Sequence, residues 1–246
     1  SGDAMSQLAF MTAIVRREGQ FRNPVTVVRG SAAELPYDNG IFDAVITDPP
    51  YYDNESYSEL SDVCYVWLRP TIGFLYPEHF AGQLTPKKKE CVAAAYRQGG
   101  KQQARNYYED TLFQSLQEAH RVTKPGGILI VVYAHKTTLG WATLVDALRR
   151  AGYEVAEAWP LTTETKARVA HQGDAALASS IFLVARRREA PETGSYEDQV
   201  RQDLEKIVRE RVDSLWKMGI TGADLVIAAV GAGLRAFTKF ARVEYA

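Results

Sequence analysis

The sequence predicts an α/β fold, a doubly wound sheet that closes in an antiparallel hairpin. Three observations predict it. Short β-branched or apolar runs alternate with helical patterns, in strand–helix–strand order, over most of the 246 residues. One such run, 42–47, stops at Asp48-Pro49-Pro50-Tyr51, where two prolines without N–H groups end any ladder. The last two runs, 153–159 and 180–185, are joined by a polar loop, as an antiparallel pair allows.

In chain order, residues 4–17 read as an amphipathic packing helix with Leu8, Met11 and Val15 on one face, ended by Asn23-Pro24. Val25-Thr26-Val27-Val28 reads as a strand. Turns follow at 30–36 and at Asp38-Asn39-Gly40, ahead of strand 42–47. Beyond Tyr51 come a polar and aromatic loop and a helix at 60–68, in which Tyr65, Trp67 and Leu68 are expected to pack. Residues 70–106 form a long connection with short helices of its own, and long ordered insertions are usually functional. Its Lys87-Lys88-Lys89, Arg97, Lys101 and Arg105 could meet phosphates, although three lysines alone read more readily as solvated surface.

A helix is expected at 107–122, with Leu112, Leu116 and Ala119 on one side. Lys124-Pro125-Gly126-Gly127 reads as a turn feeding the buried strand 128–133, with His135 and Lys136 just past its carboxyl end. A helix at 141–151 stops at Gly152, and the polar loop 162–178 holds Lys166, Arg168 and His171. Residues 186–194 read as a linker and 196–218 as a long charged helix. In the tail, Thr221 and Asp224 are spaced as a capping box, which favours a helix over a glycine cofactor loop at Gly231-Ala232-Gly233. The expected organisation is a core over 1–188 and a helical extension over 189–246.

Composition excludes some classes. Hydrophobic residues make up 46%, enough for a sizeable core, and the net charge of −1 gives no global basic field. Cys64, Cys91 and four scattered histidines make no metal-ligand cluster, so no metal is expected. Neither a signal peptide nor a run long enough to span a bilayer is seen, which predicts a cytoplasmic protein without membrane contact. The chain opens on Ser1-Gly2-Asp3-Ala4 without an initiator methionine, as expected of a processed, tagged or excised chain.

Chemistry concentrates at Asp48-Pro49-Pro50-Tyr51. In open α/β sheets, ligands bind outside the carboxyl ends of strands. An exocyclic amino group is a poor nucleophile because its lone pair is delocalised into the ring. Asp48 could accept one amino N–H and the Pro49 carbonyl the other, favouring a tetrahedral, nucleophilic nitrogen. Tyr51 could stack on the flipped base.

Together with Glu118-Ala119-His120-Arg121-Val122-Thr123-Lys124-Pro125-Gly126-Gly127, this corner resembles the class I S-adenosylmethionine-dependent methyltransferases. The longer strings Asp48–Asn54, Leu60-Ser61-Asp62, Tyr65–Leu68, Leu84–Lys87, Ala134-His135-Lys136 and Ala178–Ser180 resemble the large bacterial adenine-specific DNA methylases that carry a zinc ribbon. The resemblance implies a Rossmann-like sheet, partial here, because the residues before Val25 are too few for two βα units, one βαβ taking roughly 30. The zinc-ribbon cysteines are absent. By resemblance, Asp48, Pro49, Pro50 and Tyr51 are the amino-methylation site, and Gly30, Ser31, Ala32 and Asp48 lie near S-adenosyl-L-methionine. Tyr52, Asn54, Lys87, His135, Lys136 and Arg168 are candidate contacts to substrate or nucleic acid. The activity implied is methylation of adenine N6 in DNA, on a flipped adenine, by the catalytic half of a longer protein or with a partner subunit. The alternatives are an RNA guanine or protein glutamine N-methyltransferase, or a non-catalytic subunit of a DNA modification or defence complex.

Overall fold

The computed structural model describes residues 4–19, 25–53, 55–135, 138–162, 179–189 and 193–245. The chain separates into two compact units, Ser1–Gly30 and Ser31–Ala246. In the first, α1 (Ala4–Glu18) closes at Gly19, whose N–H donates to the Val15 carbonyl at 2.8 Å. Met11 and Val15 of the expected packing face are exposed. The strand expected at 25–28 does not form. Val25 and Val27 are 83% and 90% exposed in an unpaired stretch. β-Branched residues favour extended backbone, but a strand exists only where a neighbour pairs its N–H and carbonyl groups.

The second unit is built on a four-stranded mixed sheet. Its strands are β1 (Phe42–Thr47), β2 (Thr123–Tyr133), β3 (Tyr153–Thr162) and β4 (Ser179–Arg187), in the order β1-β2-β4-β3. β1 runs parallel to β2, and β4 is antiparallel to both β2 and β3, so the expected closing hairpin is present. The Lys124-Pro125-Gly126-Gly127 run is part of β2 rather than a turn before it. The register jumps from Phe42↔Thr123 to Ala44↔Ile128, and Gly126 takes φ 77, open to glycine and strained for other residues.

Alternation along the strands gives the sheet two unlike faces. On one, Leu129, Val131 and Tyr133 of β2 pair with Ala185, Leu183 and Ile181 of β4, and all six are buried. They share a core with helices α4 (Lys101–Val122) and α5 (Thr138–Arg150). α4 begins six residues before its expected start and turns Tyr108, Leu112, Leu116 and Ala119 inward at helical spacing. On the other face Ile128, Ile130, Val132, Phe182 and Val184 are only half-buried, and Ile46 is 69% exposed.

Between β1 and α4 lie α2 (Tyr57–Ile72) and the single turn α3 (Ala95–Gln98). α2 runs past its expected end and tolerates Pro70 in its last turn. Tyr65 packs as expected, its hydroxyl donating to the Gly82 carbonyl at 2.9 Å, but Trp67 is 74% exposed and Leu68 is exposed too. The two therefore do not pack within the described residues.

After β4, the stretch expected as a linker contributes β5 (Thr193–Ser195), which pairs in parallel with β6 (Arg242–Glu244) near the end of the chain. A π-helical turn, Tyr196–Val200, leads into α6 (Arg201–Lys217), and α7 (Gly222–Thr238) follows. The tail is thus a helix, as expected, although Thr221 makes no side-chain cap bond. Gly231 sits where a Cβ would come within 2.9 Å of Ala158 Cβ, so it serves close packing of α7 on β3. Among the described residues no helix is long and apolar enough to cross a membrane.

Thr238 ties α7 to the sheet. Its buried hydroxyl donates to the Leu234 carbonyl at 2.9 Å and accepts from the Val155 N–H at 2.8 Å. Thr238→Val should leave that buried N–H unpaired and cost about 1–3 kcal/mol. A urea midpoint unchanged from wild type would show that the bond carries no stability.

Candidate active site

Asp48 begins the segment just past the carboxyl end of β1, and its carboxylate is exposed. Oδ1 accepts from the Tyr51 hydroxyl at 2.6 Å. The Tyr51 ring meets the Tyr133 ring edge-on, with centroids 5.0 Å apart and planes at 73°. Burial, then the hydrogen bond to the carboxylate, raises the Tyr51 pKa well above the usual phenol range, so the hydroxyl is a donor at neutral pH. Two groups expected to act separately are therefore joined.

The proline corner is anchored from beneath. Fully buried Tyr108 of α4 donates its hydroxyl to the Pro50 carbonyl at 2.7 Å. No described residue donates to the Pro49 carbonyl, the acceptor singled out by the sequence. Tyr52 turns the chain away with φ 54, rare for a residue with a Cβ, and its carbonyl accepts from the Ala93 N–H at 2.9 Å. Its ring packs edge-on against Tyr108 at 5.3 Å.

His135 lies beside this corner. Its ring stacks on Tyr133 at 6.2 Å and 15° and faces Tyr52 edge-on at 6.4 Å. Trp141 Nε1 donates to the His135 carbonyl at 3.0 Å. A Cβ on Gly140 would fall 2.3 Å from the imidazole, so only glycine fits beneath the ring. The parallel pairing of β1 and β2 thus brings Asp48, Tyr51, Tyr52 and His135 to one sheet edge. Tyr108, Tyr133 and Trp141, which complete the cluster, were not singled out by the sequence. Tyr108 continues the Leu112–Leu116 stripe one turn earlier, and that periodicity is the signal that could have found it.

Lys87 does not reach this cluster with a free charge. Its Nζ donates to Asp62 Oδ2 at 2.6 Å and to the Thr85 carbonyl at 3.2 Å. The hydrogen bonds from Lys87 and Thr85 hold the Asp62 carboxyl down at about 2. Arg97 is likewise committed to Glu59 and Glu90, and Arg105 to Glu109 at 2.7 Å. The Lys87–Asp62 and Arg97–Glu59 pairs tie the 70–106 connection to α2, whereas the Arg105–Glu109 pair lies within α4. Asn54, Lys136 and Arg168 lie outside the described residues, as do Lys166 and His171.

Among the candidate cofactor residues, Gly30 belongs to the first unit, and Ser31 and Ala32 open the second. Ser31 Oγ accepts from the Ala33 N–H at 3.3 Å, and Ser31 bridges to Glu34. Among the described residues no hydrogen bond joins Ser31 or Ala32 to Asp48. The turn beyond them is held by the Glu118–Arg121 pair. Glu118 Oε2 accepts from the Leu35 N–H at 2.9 Å, and Arg121 donates to the Tyr37 carbonyl at 2.7 Å and the Leu35 carbonyl at 3.0 Å. The conspicuous 118–127 passage therefore positions the chain that enters β1. Among the described residues no group of His, Cys, Asp and Glu side chains could hold a metal ion.

Glu118 supplies a pH test. The Arg121 hydrogen bond, then the Leu35 N–H, lowers its pKa from 4.5 to about 2, so its folded carboxylate is favoured over the unfolded one. Its contribution is complete above the unfolded value and disappears as pH falls from about 4.5 towards 2. Glu118→Gln should be less stable than wild type at neutral pH, with the gap closing through that window. A gap independent of pH in urea titrations would contradict the charge-based role.

No family model and no curated protein matches the chain. Solved structures do. The [4+2]-cyclase SpnF is similar at 18% identity and a TM-score of 0.33, over 74% of this chain and 62% of that one. The Thermus thermophilus protein TTHA0409, provisionally named a DNA modification methylase, is similar at 15% identity and a TM-score of 0.36, over 74% and 62%. Its complex with S-adenosyl-L-methionine gives 16% and 0.36, over 74% and 64%. The chain spans a little under two thirds of the length of these structures.

Proposed function

We propose that this chain is the acceptor-binding part of an S-adenosylmethionine-dependent amino-methyltransferase that acts on adenine N6 in DNA. One observation carries the reading. An exposed Asp48 carboxylate and a Pro49 carbonyl that accepts from no described residue stand beside a half-buried aromatic ring, just past the carboxyl end of a parallel strand. Those are the groups that grip a planar amine, one N–H to each acceptor, and draw its lone pair out of conjugation. Tyr51 and Tyr52 offer ring surface to an adenine flipped from the duplex. His135 borders the same edge, fixed by Tyr133 and Trp141, and supplies a further polar group to the base. The core over 1–188 carries this role, and the extension over 189–246 lies outside it.

S-adenosyl-L-methionine would supply an electrophilic methyl group on a sulfonium. The described residues fit the acceptor better than the donor. Ser31, Ala32 and Asp48 are the candidates to touch the cofactor, but Gly231 and Gly233 are buried within α7 and offer it no loop. We therefore infer that a further polypeptide segment, from the same protein or a partner subunit, completes the cofactor pocket. Two features support it. β1 is an edge strand with no Pro or Lys along it, and the sheet face of Ile46, Ile130, Val132, Phe182 and Val184 is incompletely covered. Strands in parallel pairing are normally buried on both faces, and bare edges invite pairing.

The test is transfer of labelled methyl from S-adenosylmethionine to adenine-containing DNA, by this chain alone and with a longer polypeptide. Asp48→Ala should lower the rate by about a hundredfold or more while circular dichroism stays unchanged. An active Asp48→Ala variant, or label on a guanine or on protein, would overturn the assignment. Tyr51→Ala should weaken binding to an oligonucleotide with an unpaired adenine by about 1–3 kcal/mol, and Tyr51→Phe should retain most of that binding because the ring remains.

A further inference from the structure

The helical hairpin of α6 and α7 has an apolar groove on one side. It encloses about 820 Å³ and is walled by Leu204, Val208 and Val212 of α6 and by Val226, Val230 and Phe237 of α7. The helices approach closely along it, because a Cβ on Gly233 would stand 2.9 Å from Leu204 Cδ1. Val226 is 63% exposed, so the groove is open to solvent. Among the described residues two charged side chains border it, Glu205 and Arg209, both on α6 and both exposed.

Their spacing is self-complementary. Residues four apart on a helix share a face and lie about 6 Å apart along the axis. When two such helices cross antiparallel about a twofold axis between these positions, each acid faces the other helix's base. The apolar walls then meet their own copies, and two hairpins make a four-helix arrangement around one core. We propose that the groove is the interface of a homodimer, with Glu205 opposite Arg209 of the partner subunit across the twofold axis. The internal Arg201–Glu205 pair, at 3.4 Å with both side chains more than half exposed, is too weakly held to compete.

The mass of the full chain is measured by sedimentation velocity over a wide dilution range. A dimer that dissociates on dilution is expected, and Val226→Asp should shift it to monomer. Glu205→Arg alone places like charges across the axis, as does Arg209→Glu, and each should weaken association about tenfold through two symmetric repulsive contacts. The double variant Glu205→Arg/Arg209→Glu should recover wild-type association. This recovery keeps the test sound if Val226→Asp fails to fold. A monomer at every concentration, a dimer indifferent to Val226→Asp, or a double variant no better than the singles overturns the proposal. Monomers would leave the groove to a heterologous partner.

Discussion

The pairing of β2 constrains everything around it. It is parallel to β1 on one side and antiparallel to β4 on the other, with Leu129, Val131 and Tyr133 fully buried. Each such side chain contributes roughly 1.5–3 kcal/mol by leaving water, so the register is strongly specified on this face. That register puts Thr47 beside Val131 and so delivers Asp48 to the edge where β2 ends at Tyr133, with His135 two residues on. Slipping β2 by one residue would turn Tyr133 out of the core and dissolve the aromatic cluster under the proline corner.

Much of this was legible in the sequence, because local signals and tertiary demands agreed. Strand 42–47 announces itself by its apolar run and its two prolines, and the helix bearing Leu112 and Leu116 by its period. The failures share a cause. Val25-Thr26-Val27-Val28 has the composition of a strand, but composition does not supply a neighbour with free N–H and carbonyl groups. Lys87 reads as a free cation until Asp62, 25 residues away in sequence, is found 2.6 Å from it. Tyr108 is 58 residues from Pro50, and no local pattern announces a bond between them. Trp67 reads as core because tryptophan usually is, yet it faces solvent on α2. Contacts between distant stretches are what a single sequence withholds, and the candidate site is assembled from such contacts.

The half-covered sheet face follows from the same chemistry. α4, α5 and α7 all pack on the side that carries Leu129, Val131, Leu183 and Ala158. The alternate residues are Ile, Val and Phe, which would not be selected for permanent hydration. Contiguous apolar surface of this kind marks an interface more often than a solvated surface. Among the described residues no strand pairs with the outer edge of β1, which adjoins that face, so an added strand and added helices would cover edge and face together.

The bond between Asp48 and Tyr51 bears on how the corner could act. A carboxylate has about four lone-pair sites, and the phenol takes one of them on Oδ1. Two effects oppose each other. Donation by Tyr51 draws charge from the carboxylate and makes it a poorer acceptor. It also fixes the carboxylate in one rotamer, so that under the proposed function an amine would meet an acceptor already oriented. Orientation is the larger effect where the reacting group must be held within a fraction of an ångström, because it removes reorganisation from the reacting step. The opposing loss is bounded by the bond itself, a hydrogen bond to a charged carboxylate being worth about 1.5–3 kcal/mol net. Tyr108 extends the same logic inward. By holding the Pro50 carbonyl from a buried position, it leaves the corner few ways to move, and the Asp48–Tyr51 pair inherits that rigidity.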